Sequence, residues 1–161
     1  MNTAYYIIGV SGCGKSTIGK ALANKLEISF KDGDDFHPTE NIQKMSDGFP
    51  LNDQDRQPWL ENINTYAQKS ETDIVIACSA LKKKYRTTLS KNLKTIFLLL
   101  DGSFDLIRNR LENRKGHFMP PALLQSQFDA LEKSDECICI DVDQSVEEII
   151  EDIISKTKKP K

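Results

Sequence analysis

TAYYIIGVSGCGKST, residues Thr3 to Thr17, decides the fold. An apolar run, Tyr5-Tyr6-Ile7-Ile8, leads into Gly9-Val10-Ser11-Gly12-Cys13-Gly14-Lys15-Ser16, which fits the phosphate-loop pattern G-x-x-x-x-G-K-[ST]. Each residue type has a task there. Glycines let the backbone curl so that its N–H groups point inward at phosphate oxygens. Lys15 brings a positive charge to the β- and γ-phosphates, and the Ser16 hydroxyl suits Mg²⁺. The helix expected after Lys15 points its positive end at the same place. A strand pattern precedes the loop and a helical pattern (Ile18, Ala21, Leu22, Leu26) follows it, as the motif requires. The stretch predicts binding of a nucleoside triphosphate through residues 9–17, with Thr17 closing the set.

Downstream, four more short apolar segments alternate with helical patterns. Strands are expected around Ile28–Phe30, Asp73–Cys78, Thr95–Leu100 and Cys137–Val142. Helices are expected over Thr39–Met45, after a cap at Asn52 or Asp53, over Lys82–Arg86, after Ser103, around Leu124–Leu131 and after Ser145. Such alternation predicts an α/β protein with a five-stranded parallel sheet and helices on both faces. Ligands then bind beyond the carboxyl ends of the strands. That places the loop glycines, Asp32 and Asp34, and Ser79 on one rim.

The chain of 161 residues is long enough for one domain with a good core. With 39% hydrophobic and 29% charged residues it reads as a soluble globular protein. A net charge of −2 argues against a nucleic-acid partner. The run Ile96–Leu100 is too short to span a bilayer, so no membrane role is expected. No signal-peptide pattern precedes the first strand, and the four cysteines lack framework or zinc spacing. A cytoplasmic, thiol-reduced protein is the expectation.

Asp32 and Asp34 lie two apart beyond the second strand and would point the same way in extended backbone. One can serve Mg²⁺, directly or through water; the other can take the proton of a substrate hydroxyl attacking the γ-phosphate. Arg56 reads either as a solvated charge or as a clamp on a substrate carboxylate. Of Lys82, Lys83, Lys84 and Arg86, at least two are expected to be merely solvated. Arg110–Pro121, rich in arginine, glycine and proline, has the look of a mobile lid, in which Arg114 would neutralise charge on the transferred group. Asp101 reads equally as a metal-binding aspartate or a strand-end turn residue and is not counted in the site. Cys13, at a helix N-terminus, is expected to have a lowered pKa and to be shielded from alkylation by bound ATP.

The phosphate loop, Asp32-Gly33-Asp34-Asp35-Phe36-His37-Pro38, Pro50–Leu60 (PLNDQDRQPWL), Cys78–Arg86 (CSALKKKYR), Lys115–Pro121 (KGHFMPP) and Gln125-Ser126-Gln127-Phe128 together resemble a gluconate kinase over nearly the whole chain. The resemblance implies a P-loop NTPase fold of the nucleoside-monophosphate-kinase type, three-layer α/β/α with a helical lid around 110–121. It implies one kinase domain over 1–161, usually dimeric, that uses ATP and Mg²⁺ to phosphorylate D-gluconate at its 6-hydroxyl. Through the related shikimate kinases it suggests Asp34 near the substrate hydroxyl, Asp32 near Mg²⁺, Arg56 on the carboxylate and Arg110 near the adenine. Lys82 and Arg86 would assist Arg56, and Lys15, Asp34 and Arg114 would be catalytic. Cys13 stands where serine is frequent in that family. Rival readings are another small-molecule kinase, a nucleotide sensor without transfer, and a nucleic-acid end kinase.

Overall fold

The computed structural model describes residues 2–113 and 121–157. Five strands form one parallel sheet: β1 (Thr3–Ile8), β2 (Ser29–Asp32), β3 (Ile74–Ala77), β4 (Lys94–Asp101) and β5 (Cys137–Asp141), in the order β2-β3-β1-β4-β5. Helices α1 (Lys15–Leu26), α2 (Thr39–Ser46), α3 (Asp53–Lys69), α4 (Lys83–Leu89), α5 (Phe104–Glu112), α6 (Pro121–Ala130) and α7 (Val146–Thr157) connect or follow them. A short 3₁₀ turn, Gly33–Phe36, leaves β2.

Period-two alternation sorts the strand side chains into two cores. Ile7, Val75, Leu98, Leu100 and Ile140 face one layer, where they meet Ile18 and Leu22 of α1, Ile107 of α5, Leu124 of α6 and Ile150 of α7. Tyr6, Ile8, Ile74, Ile76, Phe97 and Leu99 face the other, against Trp59, Leu60 and Ile63 of α3 and Tyr85 and Leu89 of α4. β3 is buried along its whole length, as a strand covered on both faces must be. The three-layer α/β/α architecture expected from the alternation is the one found.

β1 runs between β3 and β4, so connections leave it to both sides of the sheet. That switch point opens a crevice at the carboxyl ends, and the phosphate loop emerges in its middle. The Gly9 N–H donates to the Ser79 carbonyl (3.2 Å), fastening the loop to the end of β3. Gly12 has φ +82°, and a Cβ there would strike the Leu111 side chain at 2.6 Å, so glycine is required twice over.

Boundaries moved in one consequential place. β2 spans Ser29–Asp32 rather than centring on Ile28–Phe30, because it is an edge strand with alternating exposure and little apolar signal. Asp32 is therefore its last residue and also the N-cap of the 3₁₀ turn: its Oδ1 accepts from the Asp34 N–H (3.0 Å). The caps follow the expected residues elsewhere. Asn52 and Asp55 form a reciprocal capping box at the start of α3, and Ser103 caps α5.

Candidate active site

The phosphate loop, the Asp32 turn and the start of α3 and α4 meet on the carboxyl rim. Lys15, at the first turn of α1, donates from Nζ to the Gly9 and Val10 carbonyls (3.0 and 2.9 Å), which holds its ammonium over the loop. The Ser16 hydroxyl donates to Asp32 Oδ2 (3.1 Å). Two hard oxygen donors from different elements thus stand together, the type of pair Mg²⁺ prefers. Among the described residues no group of three or more His, Cys, Asp and Glu side chains could hold a metal by itself. An ion here would draw most of its ligands from phosphate and water.

Asp32 and Asp34 do not point the same way. The chain turns into a 3₁₀ helix immediately after Asp32, so the extended-backbone expectation fails. Asp32 turns toward Ser16 while the Asp34 carboxylate stands open on the rim, 84% exposed. The protein mass behind it and the charge of Asp32 beside it push its carboxyl above the usual range. The turn itself is pinned from α3: Trp59 Nε1 donates to the Gly33 carbonyl (2.7 Å). His37 stacks on Trp59, with centroids 4.3 Å apart, and takes a hydrogen bond at Nδ1 from Asn41 Nδ2 (3.2 Å). Its other nitrogen, Nε2, lies 4.0 Å from Asp34. Burial lowers the His37 pKa, which favours the neutral ring.

A cationic cluster lies on the α3–α4 side. Asp53 accepts from Lys82 Nζ (3.3 Å), from Lys84 Nζ and from the Tyr85 hydroxyl. Hydrogen bonds from Lys84 and Tyr85 hold its carboxyl far below the usual range. Arg56 Nη1 donates to the Tyr85 hydroxyl (3.2 Å) and its guanidinium lies over the ring, 5.6 Å from the centroid, with Lys82 at 5.7 Å. Arg56 and Lys82 are thus brought to one phenol, and Lys82 and Lys84 to one acid. The sequence reading missed Tyr85 and Asp53, although both sit inside the specific stretches Leu51–Leu60 and Cys78–Arg86.

Arg86 is a correction. It is 1% exposed and fully committed: Nε to Glu136 Oε1 (3.0 Å), Nη1 to the Ala80 carbonyl (2.8 Å), Nη2 to the Glu132 carbonyl (2.5 Å) and to Ser134 Oγ (2.9 Å). No donor faces the rim, so Arg86 is withdrawn from the substrate-binding set. Cys13 is a second correction. Its thiol is buried in the α1 core (2% exposed), packed under Gly9, and burial pushes its pKa up despite Lys15 and the loop N–H groups. The native protein should therefore titrate slowly at Cys13 with a disulfide reagent, at equal rates with and without ATP; fast labelling suppressed by ATP would restore the exposed thiol.

Asp101 takes both oxygens to Lys133 Nζ (3.1 Å each), an ion pair at the end of β4. Arg110 donates from Nη2 to the Val142 carbonyl (2.6 Å), beside the loop that leaves β5. Arg114 and residues 115–120 of the expected lid lie outside the described residues. No helix of the described residues is long and apolar enough to cross a membrane.

A family model described as shikimate kinase matches residues 11–158. The chain is 45% identical over 157 residues to the thermosensitive gluconokinase of Escherichia coli strain K12, covering 92% of this chain and 83% of that protein. The crystal structure of a gluconokinase from Sinorhizobium meliloti 1021 superposes with a TM-score of 0.86 at 40% identity, covering 95% of this chain and 90% of that one. A shikimate kinase from Aquifex aeolicus reaches only 0.62 at 19% identity over 95% of this chain and 94% of its own, which speaks to the fold alone. Identity and superposition both separate the two groups: the chain belongs to the gluconokinase family, on the P-loop kinase fold it shares with shikimate kinases.

Proposed function

We infer that this chain transfers the γ-phosphoryl group of ATP to the 6-hydroxyl of D-gluconate, giving 6-phospho-D-gluconate and ADP. The observation that carries the reading is the Ser16–Asp32 hydrogen bond (3.1 Å), which joins the phosphate loop to the acidic turn bearing Asp34. A triphosphate on the loop and a hydroxyl at the turn would then face each other, the requirement for in-line transfer. The sugar-acid acceptor follows from the gluconokinase relatives and is supported by the Arg56–Lys82 pair around Tyr85.

In this reading the loop from Gly9 to Thr17, through the backbone N–H groups not given to Ser79 and Gln127, and the Lys15 ammonium hold the phosphates, and Arg110 lies toward the base. Asp34 orients and deprotonates the hydroxyl. Arg56 and Lys82 bind the carboxylate end. Mg²⁺ would rest on Ser16, with Asp32 reached through water, and supplies charge neutralisation on the phosphates. A lid over 110–121 that carries Arg114, read from its arginine, glycine and proline, a cytoplasmic location, read from the cysteine usage, and a homodimer, implied by the resemblance, belong to the same reading; sedimentation tests the dimer.

The deciding assay measures ADP release with gluconate, shikimate, nucleoside monophosphates and other sugar acids as acceptors. Gluconate should stimulate turnover most. Stimulation by another acceptor, with none by gluconate, would overturn the assignment.

A further inference from the structure

The phosphate loop is gripped by a side chain from far away in sequence. Gln127, in the middle of α6, takes the Ser11 N–H on Oε1 (2.7 Å) and donates from Nε2 to Ser11 Oγ (3.1 Å). The backbone donor fixes which way the amide faces, because turning it over would set N–H against N–H. Ser11, with Val10, lies between Gly9 and Gly12, two glycines at positive φ.

Gln127 is itself held rigidly. Leu124, one turn before it, is buried in the core, and Phe128 packs against Phe104 at 5.7 Å. Beyond α6 the Glu132 N–H donates to the Leu81 carbonyl (2.7 Å), and Glu132 Oε1 accepts the Lys83 N–H (3.1 Å). Arg86 closes the same joint from inside. The helix that grips the phosphate loop is therefore bolted to the start of α4, the segment that carries Lys82 and Tyr85.

We propose that Gln127 is a positioning residue for nucleotide binding: its side-chain amide holds Ser11 so that the phosphate loop is already in its binding shape. A loop ordered beforehand does not have to be ordered by the ligand, and affinity rises by the entropy saved. The proposal rests only on the nucleotide half of the function inferred above, so it can fail or stand whatever the acceptor proves to be.

The test is Gln127→Met, which keeps length and apolar volume and makes neither bond, together with Ser11→Ala and the double variant. ADP and a non-hydrolysable ATP analogue are titrated calorimetrically, and the melting midpoint is measured without ligand. Gln127→Met should raise both dissociation constants about tenfold, the loss of two ordinary hydrogen bonds, with the midpoint within about 2 °C of the parent. Ser11→Ala should lose less, and the double variant should be no weaker than Gln127→Met alone, because both act at one contact. Nucleotide affinity within twofold of the parent, or independent addition of the two losses, would overturn the proposal. Should Gln127→Met not fold, Gln127→Glu serves: it keeps an acceptor for the Ser11 N–H and must bind ADP less weakly than Gln127→Ala. Equal affinities there would also overturn it.

Discussion

Asp34→Asn should leave a folded, ATP-binding protein whose turnover with gluconate falls by about a thousandfold, the scale of losing a positioned general base. The structure makes this a clean substitution. The Asp34 side chain is exposed, and the bond that holds its turn together runs through its backbone N–H to Asp32, which asparagine preserves. What disappears is the charge. The pH dependence follows with a definite sign. The Asp34 carboxyl is raised by its surroundings and by Asp32, and the base works only when ionised. Activity of the parent should therefore fall as pH drops through a value above the ordinary aspartate range, and that acid limb should be missing from the residual activity of the variant. Stability moves the other way. A raised pKa means that the folded state prefers the protonated carboxyl, so the ionised form costs stability at neutral pH. The asparagine variant should be no less stable than the parent at pH 7, and the two should converge in acid. Parent-like turnover would remove Asp34 from the base role and leave transfer to positioning alone.

Where the chain was legible, the signal was local and periodic. The loop motif names its own backbone shape, and the apolar strands alternate or run continuously according to how many faces they bury, so the sheet and its catalytic rim follow. The site was less legible where contacts override local rules. Extended backbone through Asp34 would set Asp32 and Asp34 side by side, but the strand ends at Asp32 and Asp34 lies in the 3₁₀ turn that follows. Cys13 was judged by the dipole of the helix that follows it, but burial under Gly9 wins because the charged thiolate would have to leave water. Gln127 and Ser11 are 116 residues apart and nothing in their spacing joins them. Asp53, in a helix first turn, reads as a routine dipole-matched acid, yet it collects Lys84 and Tyr85 from α4 and Lys82 from its N-cap. The motif stretches that carry the family resemblance hold these residues, and the roles appear only when the two helices are brought together.

Arg86 shows how far a charge run can mislead, and it carries the largest stability effect expected here. In Lys82-Lys83-Lys84-Tyr85-Arg86 four cations look interchangeable, but helical spacing turns Tyr85 and Arg86 inward while Lys83 and Lys84 face solvent. The guanidinium then holds three stretches at once: the Ala80 carbonyl after β3, the Glu132–Ser134 segment after α6, and Glu136 before β5. Arg86→Met keeps much of the volume and removes every donor. It strands the buried Ala80 carbonyl, takes a donor from the part-buried Glu132 carbonyl and leaves Glu136 without its arginine. Leaving a buried carbonyl unsatisfied costs about 1–3 kcal/mol, and the lost pairing of Glu136 adds little because that carboxylate is about a third exposed. For a chain of this size that lowers the melting midpoint by roughly 4–10 °C. Acid titration adds a second readout. The Ser134 hydroxyl, its own backbone N–H and Arg86 hold the Glu136 carboxyl down to about 2. A depressed carboxyl contributes stability that is complete above the ordinary glutamate value and is lost as pH falls through about 2. Part of that acid dependence should vanish in Arg86→Met. Below its melting range the variant should keep its ADP affinity, since Gln127 reaches the loop from the core-packed body of α6. A parent-like midpoint combined with a steep rise in the gluconate KM would instead return the guanidinium to the acceptor.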